Sequence, residues 1–117
     1  MAIVVTNFNN NLLVAEAQSD EKQGLKDYVA YVADFYNLSY QDMDRVIECE
    51  SSYNQNSSNP KSSAKGIAQF LDGSFKWFAG MYEDEKGRKL DRNSAKDNIA
   101  LMGYSWSKGY KYHWSCK

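Results

Sequence analysis

A chain of 117 residues has room for one hydrophobic core and not for two. Hydrophobic residues make up 43% and aromatics 15%, while a single Pro and 7 Gly speak against a turn-dense β-sandwich and for helices. The formal net charge of −1, from 14 basic and 15 acidic side chains, excludes the strongly positive field of a nucleic-acid binder and suits a neutral or weakly charged polymer as partner.

Residues 1–20 read as an N-terminal arm or a leader. Ala15-Glu16-Ala17 is a small-x-small site of the kind a signal peptidase cuts, but the segment lacks a basic start and Asn7 to Asn11 interrupt its apolar run. No stretch approaches the roughly 20 apolar residues of a membrane span. From Glu21 the pattern turns helical, with Leu25, Tyr28, Val29, Val32, Phe35 and Tyr36 on one stripe, and Asn37-Leu38 breaks it. Ser39 is an N-cap candidate with Asp42 at the capping-box position, opening a second helix that runs to about Ser51. Residues 51–63 are so dense in Ser and Asn that composition reads them as a flexible linker. Ala64 to Phe70 suggests a short helical turn. Ser74 then caps a helix from Phe75 to about Tyr82, and Glu83 to Arg92 reads as an exposed charged loop. Ser94 with Asp97 marks another capped start, with Ile99, Met102 and Trp106 as its inner stripe. The aromatic tail Tyr110 to Trp114 closes the domain, which spans 21–117 without internal repeats.

Two cysteines, Cys49 and Cys116, leave two readings open: unrelated buried thiols, or one disulfide tying the C-terminus to the second helix. A bridge would close a long loop, stabilise by about 4 kcal/mol in the chain-entropy model, and place the protein outside the reducing cytosol. Two thiols and the lone His113 do not make a four-ligand zinc site, so no metal is expected.

The second helix carries one residue out of place. Met43, Val46 and Ile47 define its inward face, and Glu50 continues that stripe at i+7, i+4 and i+3. Glu48 falls instead with Gln41, Asp44 and Arg45 on the solvated side. Desolvation disfavours an ionised carboxyl and raises its pKa, as a general acid near neutral pH requires. Periodicity also allows a helix-end glutamate that reaches back to water.

Glu50-Ser51-Ser52-Tyr53-Asn54, followed by Ala64-Lys65-Gly66-Ile67-Ala68-Gln69-Phe70, resembles the signature of the lytic transglycosylases, a family of the lysozyme-like superfamily. Leu71-Asp72-Gly73-Ser74-Phe75 stands where that family often has an apolar residue followed by Pro-Ser-Thr-Trp. Asp97-Asn98-Ile99 is similar to its Asp-Asn-Ile helix start. The ending His113-Trp114-Ser115-Cys116 looks like that of small secreted members, which pair this cysteine with one beside the catalytic glutamate. The resemblance covers residues 25–116 and implies an all-α, lysozyme-like domain with a substrate cleft. It implies Glu50 as the single catalytic acid, with Ser51 orienting substrate, the Gln69 amide lining the groove and Gly66 allowing close backbone approach. Tyr53 reads as cleft wall or loop anchor, and Tyr104 as a sugar-stacking ring or core; Trp106 reads as core. The chain departs from the family pattern at Asp72-Gly73, expected to loosen the next helix start, and at Ala68, expected to make the site floor roomier.

The implied reaction is cleavage between N-acetylmuramic acid and N-acetylglucosamine in peptidoglycan strands, leaving a 1,6-anhydromuramoyl end and needing no metal or organic cofactor. A monomer working outside the cytoplasm is expected, whether secreted, periplasmic, wall-associated or delivered by a phage or secretion machine. Two rivals stand beside it. A hydrolytic muramidase would place Asp72 or Asp97 near the cleft, and a non-catalytic glycan-binding module would leave Glu50 idle.

Overall fold

The computed structural model describes residues 10–116, which form four α-helices and one 3-10 turn, with no strand among the described residues. Helix α1 spans Asn10–Tyr36, α2 Tyr40–Ser51, α3 Asp72–Lys86 and α4 Ala95–Ser107, and the 3-10 turn covers Lys111–His113. Residues 10–20, read from sequence as an arm, are the first turns of α1; residues 1–9 lie outside the described residues. Helix α1 packs against α4 and α2, and α3 packs against α4. None of the described helices is long and apolar enough to cross a membrane.

The inward stripe of α1 delivers Leu25, Val29 and Val32 to the core, but Phe35 stands 61% exposed. Asn37 ends the helix in the left-handed region at φ 55°, while the Leu38 amide returns to the Ala33 carbonyl at 2.7 Å. Both capped starts form as their sequences dictate. Ser39 Oγ accepts from the Asp42 amide at 3.2 Å, and Ser94 Oγ accepts from the Asp97 amide at 3.2 Å. Met43, Val46 and Ile47 of α2 are buried, as are Ile99, Met102 and Trp106 of α4.

Three local expectations fail for identifiable reasons. Helix α3 begins at Asp72 rather than Phe75, because its first amide is satisfied from afar by Ser63 Oγ at 2.9 Å. It continues to Lys86 instead of stopping at Tyr82, ending where Gly87 adopts φ 74°. Ala64 to Phe70 is not helical: Gly66 at φ 83° and Gln69 at φ 55° reverse the chain between isolated bridges from Lys65 to Ser58 and to Phe70. The Ser/Asn-rich stretch before it is a series of hydrogen-bonded turns. Asn54 and Asn59 each accept, through a side-chain oxygen, from the amide two residues on.

Two tight fits hold this framework. At the α1–α4 crossing, a Cβ on Gly103 would run into Val32 Cγ1 and lie 3.2 Å from the Tyr36 ring. Asn98, 1% exposed, donates to the carbonyls of Arg92 at 2.8 Å and Ser94 at 3.0 Å, and its Oδ1 faces the turn at Gly66. Through Asn98 the start of α4 fixes the loop that carries Gln69.

Candidate functional site

The last turn of α2, the reversal at residues 66–70, the start of α3 and the C-terminal tail converge on one small cavity. It is lined by Glu50, Gln69, Phe70, Leu71, Ser74, Phe78, His113 and Trp114 and has a volume of about 70 Å³. The disulfide between Cys49 and Cys116, with Cα atoms 5.7 Å apart, brings the tail here. Trp114 is seated further by its indole N–H, which donates to the Ala68 carbonyl at 2.9 Å. Its ring meets Phe70 edge-on at 5.2 Å between centroids. Ala68 is itself fully buried. It does not line the cavity, so its small side chain forms no part of the cavity floor.

The two neighbouring glutamates of α2 have opposite surroundings. Glu48 pairs with Lys22 at 2.7 Å and Lys26 at 3.5 Å. Glu50, two residues on, faces Phe70, Leu71, Phe78 and Trp114. Burial pushes its carboxyl above the ordinary value of 4.5, with no charged neighbour contributing. Among the described residues lining this cavity, Glu50 is the only carboxylate. Asp72 is paired with Arg92 at 2.8 Å and Asp97 with Arg88 at 2.9 Å, both outside it.

The other residues singled out from sequence separate into two groups. Ser51 and Gln69 flank Glu50, but both are engaged with backbone. Ser51 Oγ donates to the Ile67 carbonyl at 2.7 Å. The Gln69 side-chain amide donates to the carbonyls of Gly66 at 2.7 Å and Ser57 at 3.1 Å. Ser51 holds the reversal against the end of α2, and Gln69 ties it to the polar loop. Gly66, Tyr53 and Tyr104 do not line the cavity. A Cβ at Gly66 would come within 2.8 Å of Asn98 Oδ1, so the close approach this glycine permits is to α4. Tyr53 is an anchor: its ring is buried and its hydroxyl donates to Asp44 at 2.7 Å. Tyr104 is 2% exposed and donates its hydroxyl to Glu85 on α3.

His113, Phe78 and Trp114 complete the site without having been marked as site residues by the sequence. The usable signal was the cysteine pair, since a bridge from Cys116 to Cys49 forces residues 113 and 114 towards Glu50. A larger concavity of about 580 Å³ lies between α1 and the polar loop, lined by Gln18, Glu21, Lys22 and residues 52–56. It is dominated by carboxamides and its Lys22 is already paired with Glu48, so the chemistry points to the smaller cavity. Among the described residues no cluster of His, Cys, Asp and Glu could hold a metal ion. No protein-family model, curated protein sequence or solved structure matches the chain.

Proposed function

We propose that the protein cleaves the glycan strands of peptidoglycan with Glu50 as its single acid and base, in the manner of a lytic transglycosylase with a lysozyme-like arrangement of helices. One observation carries the reading: a carboxyl raised by burial, in an aromatic-walled cavity with no second carboxylate among the described residues that line it. Protonated Glu50 donates to the glycosidic oxygen as the bond to the muramic acid C1 breaks. The resulting carboxylate then takes the proton of the sugar's own 6-hydroxyl as that oxygen closes on C1. This regenerates the acid and leaves a 1,6-anhydro end. A two-carboxylate hydrolase would need a second acid within several ångströms to activate water or act as nucleophile. The Cys49–Cys116 disulfide fits work in an oxidising compartment outside the cytoplasm.

Purified peptidoglycan incubated with the oxidised protein, with product ends read by mass spectrometry, tests the proposal. Anhydromuramoyl ends are expected. Reducing muramic ends would assign a hydrolytic muramidase, and binding without cleavage would leave a glycan-binding module.

A further inference from the structure

The Glu50 cavity, at about 70 Å³, is far smaller than a strand of many sugar rings. A strand presented to Glu50 therefore has to lie across the surface outside, and that surface is aromatic. Trp77 is 49% exposed and Tyr112 is 74% exposed. The Trp77 ring lies 4.9 Å from Phe78 and 5.2 Å from Tyr110, and the Tyr112 ring lies 4.7 Å from His113. Phe78 and His113 both line the cavity, so the exposed rings continue its wall outward without a break.

We propose that Trp77 and Tyr112, braced by Tyr110 and His113, form a stacking platform that positions N-acetylhexosamine rings of a polysaccharide for Glu50. The inference rests on the reading of Glu50 as a glycan-cleaving acid and adds the surface that receives the strand. The chemistry of the rings selects a sugar over an acyl chain. Each of the four carries an N–H or O–H at its edge beside an apolar face, matching a pyranose with C–H faces and equatorial hydroxyls. Among the described residues the flanking cations are paired, Lys111 with Asp42 at 3.0 Å and Lys76 with Asp72 at 3.5 Å, which weakens their pull on anionic headgroups. The exposed rings of α1 differ in this respect: Lys86 lies over Phe35 at 5.2 Å.

The test measures binding of chitotetraose, a soluble β-1,4 N-acetylglucosamine tetramer, by calorimetry in the Glu50→Gln protein, and cleavage of peptidoglycan in the Glu50 protein. Trp77→Ala and Tyr112→Ala are each expected to weaken binding about 2- to 10-fold and to raise KM with kcat little changed. Trp77→Phe should retain most of the binding, and Tyr31→Ala on α1 should leave it unchanged. Both truncated rings are largely solvent-facing, and circular dichroism checks that the variants fold. Wild-type cleavage with unaltered binding and KM in Trp77→Ala and Tyr112→Ala overturns the platform while the assignment of Glu50 stands. A wild type that neither binds nor cleaves overturns both.

Discussion

Replacing Cys49 and Cys116 by Ser should both loosen the fold and return Glu50 to ordinary behaviour. The bridge spans a sequence separation of 67 residues. Chain-entropy arithmetic for a loop of that length gives about 4 kcal/mol of stabilisation through restriction of the unfolded chain. Folded domains hold only about 5–15 kcal/mol in all, so the double variant should unfold at distinctly lower urea, with Tm lower by roughly 15 °C. The tail keeps other anchors, the Trp114 bond to Ala68 and the Lys111–Asp42 pair, so the variant should still fold. What it loses is the tie that holds His113 and Trp114 over Glu50. More water then reaches the half-buried carboxyl, and its pKa should fall towards 4.5. Urea unfolding measures the first effect and carbon-13 titration of the Glu50 carboxyl the second. A loss of stability below about 1 kcal/mol, together with an unmoved Glu50 midpoint, would refute the reasoning. Equal thiol labelling of the wild type with and without reductant would refute the bridge itself.

Further outcomes follow from the same contacts. Glu50→Gln should stabilise the protein at neutral pH and leave it unchanged in acid. Because the folded-state pKa is raised, burial carries no charge penalty below the unfolded value, and stability is lost as pH rises through the folded pKa. Urea midpoints of the two proteins on either side of the titration check the sign. Gly103→Ala should destabilise by about 1–3 kcal/mol, since the added methyl meets Val32 and Tyr36 at the α1–α4 crossing; thermal unfolding reads it. Asn98→Ala should cost about 1–3 kcal/mol by stranding the Arg92 and Ser94 carbonyls. It should also raise amide exchange at residues 66–69 more than in α1.

Features that act within one or two helical turns were legible in the sequence. The Ser39 and Ser94 caps, the inward face of α2 and the contrast between Glu48 and Glu50 all depend on residues within eight positions of one another, and all are present. Features decided by distant partners were hidden. The start of α3 depends on Ser63, nine residues earlier, and the left-handed turns at Gly66 and Gln69 depend on Asn98 and on bridges to Ser58. The family motif set Gly66 beside Glu50 and left Tyr53 between cleft wall and anchor, while the position of Tyr104 on the last helix left it between sugar-stacking ring and core, because a motif records order along the chain and not direction in space. The hydroxyls of Tyr53 and Tyr104 turn to Asp44 and Glu85, and the Gly66 backbone lies against Asn98. Conversely, the tail reaches the site through a covalent tie whose partner the spacing alone left open, together with contacts to distant residues such as Ala68 and Asp42.

The assignment of Glu50 is tested most directly by comparing two glutamates of one helix. Peptidoglycan cleavage should be measured for wild type, Glu50→Gln and Glu48→Gln, each oxidised and shown to be folded. The account predicts that Glu50→Gln lowers the rate by roughly 10²- to 10⁴-fold, as loss of a general acid does, while Glu48→Gln cleaves like wild type. Cleavage by Glu50→Gln within a few-fold of the wild-type rate would contradict it.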